Sequence, residues 1–316
     1  MVIPTAFRDR FMPVRERRLV LPPGQPRPEI HKQQPPKKKQ PPRKRVTIAA
    51  GFKFDGGVLL CADTKITSAV KGNETKLLYR SYGLGECATA FGVAAADFDF
   101  AKAAVESCQN TIASFNFADA RVTIEAVREA IRVSLVNFYG DHIFPQPSGE
   151  EVSGFDLVIG VWLRGHTSLF ASSKTVINPV NDYMCVGSGG YLGRYWVQKF
   201  MQANRDRGPL TLRDTAMLAN YMIQTAIDYD ESCGGEPELL IMKDTGEIEE
   251  SCDTVIYPGW LLHQLQSEML RLIHDLACVT GDMKAETGRV FEDFFQRLRE
   301  LNASYEYWFD RQKHQD

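Results

Sequence analysis

A short hairpin predicted near residue 50 constrains the fold of this chain more than any other feature of the sequence. Two apolar runs, at 47–54 and 57–63, are separated by Asp55 and Gly56. An Asp-Gly pair between two such runs is the strongest short-range signal for a hairpin, because both residues tolerate the positive φ of a type I′ turn. The body of the chain is therefore expected to begin with two antiparallel strands.

Groups of strands are predicted to alternate with pairs of helices along the chain. Short apolar runs between turn residues indicate the strands, and apolar residues at three- and four-residue steps indicate the helices. The predicted strands cover 47–54, 57–63, 76–82, 86–92, 155–163, 167–173, 183–186 and 238–243, and the predicted helices cover 97–115, 124–138, 188–205 and 212–228. Helices in pairs disfavour a parallel sheet of βαβ units. We therefore expect an α+β fold, a four-layer αββα sandwich, over residues 47–255.

Residues 256–316 are expected to form a C-terminal helical extension. Two apolar stripes with helical spacing run through it, and a turn is predicted between them at Gly281 and Asp282. The stripes consist of Leu262, Leu265, Met269, Leu272 and Leu276, followed by Val290, Phe294, Leu298, Leu301, Tyr305 and Trp308. Two interpretations stay open, a helical hairpin packed on its own domain or a contact between subunits.

The N-terminal segment 1–46 differs in composition from the rest of the chain. It carries 13 basic residues against three acids, a net charge of +10, whereas the remainder carries −13. It also holds ten of the 16 prolines, so we expect a disordered leader. It lacks the apolar core of a secretory signal. No aromatic residues interleave with its basic residues for base stacking, so specific nucleic-acid binding is not expected. The leader is interpreted as a propeptide, a solvated tail, or a stretch ahead of a true start at Val46.

Cysteine and histidine spacing argues against disulfides and against a metal site. The seven cysteines are scattered without a CxxC pair, which is typical of proteins in a reducing compartment. The six histidines show no ligand spacing, so we expect no metal and no other cofactor. No apolar run reaches the ~18 residues of a membrane span. The sequence therefore predicts a cytoplasmic protein without a membrane partner.

One threonine at the end of the leader is a candidate nucleophile. Thr47 begins the first predicted strand, Asp63 follows it by 16 residues, and Lys76 follows Asp63 by 13. If the chain is cut before Thr47, that residue carries both a hydroxyl nucleophile and a free α-amine that can act as its base. These two groups together are a minimal catalyst for amide hydrolysis.

The same residues, combined with two glycine-containing segments at 187–189 and 230–235, resemble a known family. In this order and spacing, Thr47, Asp63 and Lys76 make the chain resemble a proteasome β-type subunit of the N-terminal-nucleophile hydrolase superfamily. The resemblance is stronger to divergent bacterial proteasome-like proteins than to eukaryotic subunits.

This resemblance covers residues 47–250 and implies a role for Thr47, Asp63 and Lys76. Thr47 would be the nucleophile, and its freed amine would be the general base. Lys76 would lower the proton affinity of that amine and of the hydroxyl. Asp63 would hold Lys76 in a partly buried ion pair.

The resemblance also implies auxiliary residues around the nucleophile. Backbone N–H groups near Gly92 would form an oxyanion hole. Ser188 and Asp230 would orient the terminal amine and its water. Cys233 stands where the family has a serine that helps to hold this amine, and a thiol is a weaker donor than a hydroxyl.

Two functions stay open on the sequence alone. The first is a threonine-type peptidase or amidase that acts on peptides or unfolded proteins inside a homo-oligomer, a ring or a smaller assembly, with an ATP-dependent unfoldase as a partner implied by the resemblance. The second is a non-catalytic structural or scaffold subunit. Val46 favours the second, because self-processing members of the family have glycine before the nucleophile and a branched residue restricts the backbone.

Overall fold

The structure is a computed structural model that describes residues 47–67, 71–142, 154–203, 209–250, 253–279 and 283–313. The predicted leader lies outside these residues. Helices and antiparallel sheets both occur in the described part of the chain, so the α+β class expected from the sequence is confirmed.

Twelve strands and six helices occur within the described residues. The strands are β1 (Ala49–Phe54), β2 (Gly57–Asp63), β3 (Lys65–Thr67), β4 (Lys71–Asn73), β5 (Leu77–Tyr82), β6 (Cys87–Ala95), β7 (Phe155–Leu163), β8 (His166–Ser173), β9 (Val176–Val180), β10 (Tyr183–Val186), β11 (Pro237–Lys243) and β12 (Ile248–Glu250). The helices are α1 (Phe98–Ala113), α2 (Ile124–His142), α3 (Gly190–Ala203), α4 (Leu212–Tyr229), α5 (Asp253–Ala277) and α6 (Met283–Lys313).

The first sheet contains the hairpin predicted from the sequence. Its strand order is β10-β1-β2-β11-β12, and every neighbouring pair is antiparallel. Gly56 lies in the β1–β2 turn with a φ of 99°, a conformation that glycine adopts without strain. One face of this sheet packs against α3 and α4, where Phe52, Leu59 and Ile241 meet Met222.

The second sheet is covered by the other helix pair. Its strand order is β5-β6-β7-β8-β9, again antiparallel throughout. Phe91 and Ile159 on one face contact Val105 of α1 and Ile131 of α2 in a single apolar cluster. The helices thus pack on this sheet in a pair, as the alternating order of the sequence indicated.

A third apolar cluster lies between the two sheets. It joins Leu60 and Leu240 of the first sheet to Ala90, Val158 and Leu169 of the second. Because side chains alternate along a strand, each sheet has one face toward this cluster and the other toward its helices. The candidate site lies at one end of this space between the sheets.

Four short or polar strands were missing from the sequence analysis. β3 and β4 have three residues each, and β12 is an Ile-Glu-Glu segment, so none offers an apolar run. β9 is an edge strand that contains Pro179, and proline within an apolar run argues against a central strand. Local pattern alone could not identify these elements.

The C-terminal helices α5 and α6 pack against each other and onto the body. His263 of α5 lies 2.8 Å from Asp228 of α4, measured from Nε2 to Oδ2. Leu272 of α5 and Phe294 of α6 are both buried. Met269, predicted as part of the apolar stripe, is instead half exposed. The predicted turn at 281–282 and the side chains of two stripe residues, Tyr305 and Trp308, lie outside the described residues.

Candidate active site

The hairpin brings Thr47 and Asp63 together. Thr47 lies two residues before the start of β1, and Asp63 is the last residue of β2. With only two residues in the turn, the start of β1 and the end of β2 are neighbours, and the Asp63 N–H donates to the Ile48 carbonyl at 3.4 Å. Thr47 Oγ1 donates a hydrogen bond to Asp63 Oδ1 at 2.9 Å.

Lys76 reaches the same point from the second sheet. It lies just before β5, where its carbonyl accepts from the Val93 N–H at 3.0 Å and continues the ladder with β6. Lys76 Nζ lies 2.7 Å from Asp63 Oδ1 and 2.8 Å from Thr47 Oγ1. Hydroxyl, carboxylate and amine therefore form a closed triangle of hydrogen bonds.

This triangle is buried. The exposed fractions are 0% for Asp63, 3% for Lys76 and 6% for Thr47. Burial lowers the pKa of the Lys76 amine, and the nearby Asp63 carboxylate opposes this effect in part. A lysine whose pKa is lowered by desolvation is neutral more often, and a neutral amine 2.8 Å from a hydroxyl can accept its proton.

The loop between α4 and β11 holds the Asp63 carboxylate from the other side. Gly234 N–H donates to Asp63 Oδ2 at 3.1 Å, and Ile48 N–H donates to Oδ1 at 3.3 Å. Gly235 has a φ of 75°, and a Cβ there would lie 2.1 Å from Thr64 Oγ1. A side chain does not fit at this position, which explains the glycine in the sequence.

The predicted glycine segment 187–189 packs against the backbone of Thr47. Gly187 has a φ of 84°, and a Cβ on it would lie 2.2 Å from the Thr47 carbonyl oxygen. The Gly189 N–H donates to that same oxygen at 3.4 Å. Ser188 between them is exposed. The segment thus fixes the Thr47 backbone through its glycines.

Asp230 and Cys233 shape the neighbouring turn. Asp230 is the C-cap of α4, and its Oδ1 accepts from the Ser232 N–H at 2.9 Å. Cys233 is buried, and its Sγ would lie 3.1 Å from a Cβ on Gly189. Burial, with Asp63 and Asp230 nearby, raises the pKa of Cys233 to about 12. The thiol therefore stays protonated near neutral pH and is a poor nucleophile.

Gly92 lies inside β6 rather than at a strand end. It is opposite Leu77 of β5 on one side and Val158 of β7 on the other. The backbone N–H of a residue flanked on both sides is directed at a neighbouring strand. A Cβ on Gly92 would lie 2.7 Å from Val158 Cγ2 and 3.5 Å from Ala49 Cβ. The absence of a side chain at Gly92 thus leaves room for the Val158 side chain on the neighbouring strand.

One charged residue next to the triangle was missed by the sequence analysis. Burial raises the pKa of the Glu238 carboxyl on β11, and the neighbouring Thr75 and Lys76 oppose this rise. The sequence contains a weak signal for Glu238, because this residue shares the strand face of Leu240 and Met242, where an apolar residue is expected.

Among the described residues, no three His, Cys, Asp or Glu side chains form a group that could hold a metal ion.

Comparisons with known proteins give structural but no sequence relatives. No family model matches the sequence, and no curated protein matches it. Anbu (ancestral beta-subunit) from Yersinia bercovieri aligns with a TM-score of 0.57 and 14% identity, over 74% of this chain and 98% of that chain. A Gly-1 mutant of Anbu from Hyphomicrobium sp. strain MC1 aligns with a TM-score of 0.57 and 16% identity, over the same shares.

A third similar structure is a helical assembly of the Anbu complex from Pseudomonas aeruginosa. It aligns with a TM-score of 0.56 and 11% identity, over 74% of this chain and 99% of that chain.

No helix among the described residues has the length and hydropathy to cross a membrane.

These findings correct the family assigned from the sequence. The identification as a proteasome β-type subunit of the N-terminal-nucleophile hydrolase superfamily is wrong as a family assignment, because no family model matches and the similar structures are Anbu proteins at 11–16% identity. A few residues at fixed spacing are a motif match, which is a hypothesis and does not by itself assign a family. What the similarity shows is the fold alone, an α+β fold that is proteasome-like at a coarse level.

Proposed function

We propose that this protein is a threonine-type hydrolase of peptide or related amide bonds, with Thr47 as its nucleophile. One observation supports this most directly. Lys76 Nζ lies 2.8 Å from Thr47 Oγ1 inside a buried triangle that Asp63 completes. A nucleophile in contact with a base, which a third group orients in turn, is the arrangement that activates a hydroxyl.

The proposed reaction proceeds by covalent catalysis at Thr47. Oγ1 attacks the carbonyl carbon of the substrate, and its proton passes to the neutral amine of Lys76. The C–N bond then breaks as Lys76 returns this proton to the leaving amine, which leaves an ester on Thr47. Water hydrolyses the ester and regenerates the hydroxyl. Asp63 keeps the lysine aligned throughout.

Access to Thr47 requires the removal of what precedes it. The residue is only 6% exposed, and its nitrogen is an amide without basicity while Val46 is attached. We therefore place a cleavage before Thr47, which leaves 47–255 as the hydrolase domain and 256–316 as a helical extension. The freed amine then becomes a second base, next to the turns that hold Ser188 and Asp230.

The partners follow from exposed surface and composition. Two adjacent helices expose large apolar side chains, which supports a homo-oligomer: Met269, Leu270, Ile273, Phe291 and Phe295. An enclosed assembly would act on unfolded chains, with an ATP-dependent unfoldase as supplier. The free cysteines support a reducing compartment, for which we propose the cytoplasm.

Two covalent probes test the proposal on the purified protein. An epoxyketone needs both the hydroxyl and a free amine, whereas a β-lactone needs the hydroxyl alone. We expect both probes to label the peptide that begins at Thr47, and neither to label the Thr47→Ala variant. Labelling by the β-lactone alone would contradict the cleavage before Thr47 and would leave Lys76 as the base in an uncut chain.

The alternative is a non-catalytic scaffold, which the exposed apolar helices also favour. If neither probe labels a chain whose mass shows that it begins at Thr47, the hydrolase proposal is wrong and the scaffold takes its place. Turnover retained in Thr47→Ala would exclude the proposed nucleophile as well.

A further inference from the structure

The end of α5 carries two side chains of metal-binding type, one helical turn apart. His274 and Cys278 are four residues apart, and the Cys278 N–H donates to the His274 carbonyl at 3.1 Å, so the helical spacing continues to the cysteine. Cys278 Sγ lies 3.8 Å from His274 Nε2 and 4.0 Å from Nδ1. Both residues are exposed. The sequence analysis found no ligand spacing among the histidines, whereas here the spacing is between a histidine and a cysteine.

The separation of the two side chains suits a zinc ion. In a tetrahedral site with a Zn–S bond of about 2.3 Å and a Zn–N bond of about 2.0 Å, sulfur and nitrogen lie about 3.5 Å apart. The exposed His274 ring needs only a small rotation about its side-chain bonds to shorten the 3.8 Å separation to this value. As a hydrogen bond the contact is weak, because a thiol is a poor donor, whereas thiolate and imidazole both suit zinc.

A neighbouring carboxylate is placed to orient the imidazole ring. Asp275 Oδ1 lies 3.5 Å from His274 Nδ1, and a guanidinium nitrogen of Arg297 on α6 lies 3.8 Å from Asp275 Oδ2. A histidine that binds a metal through one nitrogen usually donates its other N–H to a carboxylate, a carbonyl or water. Asp275 thus favours the proton on Nδ1 and leaves Nε2, the nitrogen nearer to the sulfur, for the ion.

Two ligands are half of what a structural zinc site needs. Such a site has four protein ligands, and within the described ranges no third His, Cys, Asp or Glu side chain joins His274 and Cys278 in a possible metal group. A second copy of the chain supplies the same pair, because a contact about a two-fold axis repeats each residue on both sides. Two thiolates and two neutral imidazoles balance the charge of Zn²⁺, so the completed site buries no net charge.

The same face of α5 exposes apolar side chains beside this pair. Leu270 lies one turn before His274, Ile273 precedes it directly, and each is about half exposed. Ala277, next to Cys278, is also exposed. Apolar groups form the centre of a stable interface, and a shared metal adds its own binding free energy. An apolar face that carries half of a zinc site is complementary to a copy of itself.

We propose that two copies of this chain dock through the C-terminal end of α5 and share one zinc ion, which His274 and Cys278 of each copy bind. Each Cys278 thiol releases its proton to water as its Zn–S bond forms, and nothing is oxidised or reduced. The inference rests on the homo-oligomer of the proposed function, for which it names one contact, and not on hydrolysis at Thr47.

Zinc titration followed by light scattering tests this contact on the full, reduced chain without an affinity tag. The protein is freed of metal with EDTA, and Zn²⁺ is then added in steps. We expect the molar mass to double at one Zn²⁺ per two chains and to return when EDTA is restored. Cys278→Ser and His274→Gln should each abolish the doubling. His166→Gln is the matched control, because it removes an exposed histidine of β8 and should leave the doubling intact.

Cobalt identifies the ligands independently of the mass. Co²⁺ in place of Zn²⁺ should give the intense visible absorption of a tetrahedral site and a thiolate charge-transfer band, and Cys278→Ser should lose that band. The substituted side chains are exposed, so the variants should keep the Tm of the metal-free protein. If Cys278→Ser does not fold, His274→Gln decides.

Three results would overturn the inference. The first is a molar mass that Zn²⁺ does not change, and the second is one Zn²⁺ bound per chain, which would mean an adventitious ion only. The third is a doubling that persists in Cys278→Ser, because another site would then join the copies. A protein that hydrolyses nothing and still pairs with zinc refutes the hydrolase and keeps this contact, whereas an active protein that ignores zinc refutes this contact alone.

Discussion

Two ion networks in this protein have similar bond lengths and very different surroundings. At the candidate site, Lys76 lies 2.7 Å from Asp63, and both side chains are buried. In the C-terminal hairpin, Glu268 lies 2.5 Å from Arg297 and 2.9 Å from Arg271, yet Arg271 is 66% exposed. The distances alone do not distinguish the two networks.

The hydration of the charged groups distinguishes the two networks. Both partners at the site lose their water, and the desolvation of a buried pair can exceed its Coulombic gain. In the C-terminal helices α5 and α6 the arginines keep part of their hydration. Their network therefore has a small desolvation penalty and contributes little to the free energy of unfolding. A costly arrangement indicates a function that requires it, whereas the hairpin network needs only to join two helices.

The largest expected effect comes from breaking the buried pair. Lys76→Met leaves the Asp63 carboxylate buried without its cation, which costs about 3–5 kcal/mol in the free energy of unfolding. Turnover should fall by at least about 10³-fold, since the proposed base is lost. Urea denaturation and peptide hydrolysis measure the two effects.

A double variant separates stability from catalysis in this experiment. Asp63→Asn combined with Lys76→Met removes both charges, so much of the lost stability should return while turnover stays absent. Recovery of turnover in the double variant would contradict the proposed mechanism. No recovery of stability would show that hydrogen bonding rather than charge dominates the pair.

A backbone clash at the site should give the next largest effect. Gly187→Ala places a Cβ 2.2 Å from the Thr47 carbonyl oxygen at a residue with a φ of 84°. Strain of this kind costs about 1–3 kcal/mol or more, and it moves Thr47. Probe labelling of Thr47 should therefore fall even at temperatures where the variant is folded. Full labelling with a lowered Tm would show that the segment supports the fold and not the nucleophile.

The sequence predicted what depends on local pattern. The β1–β2 hairpin follows from residues a few positions apart, namely Asp55 and Gly56 between two apolar runs. In the structure, the register of this hairpin also brings Thr47 to Asp63, because a two-residue turn fixes which residues lie opposite each other.

The remaining features depend on how the sheets pack. Lys76 belongs to the second sheet, and only the resemblance to a family implied that it meets Asp63. The sequence analysis missed Glu238, because its place next to the candidate site is defined only once the facing strands are known. Contacts between sheets depend on packing that no local pattern contains.

A smaller effect is expected when the hairpin network is broken. Arg297→Met removes one partner of Glu268 but leaves Arg271 in place. The loss should be about 1.5 kcal/mol, the lower end of the range for a hydrogen bond to a charged group, because this network is partly hydrated. Turnover and probe labelling should not change. A loss of labelling as large as in Lys76→Met would show that the hairpin is coupled to the site and would remove the contrast between the two networks.

The smallest effect has the opposite sign. Gly288 lies within α6, and a Cβ there would meet no atom within 4 Å, whereas at Gly187 it meets backbone. Alanine in a helix interior is favoured over glycine by about 1 kcal/mol, so Gly288→Ala should raise the Tm by a few degrees. Replacing glycine by alanine should thus stabilise the C-terminal helices at Gly288 and disrupt the candidate site at Gly187. A lowered Tm in Gly288→Ala would mean that this helix face is covered in solution, and a mass measurement by light scattering would then show whether a second copy of the chain covers it.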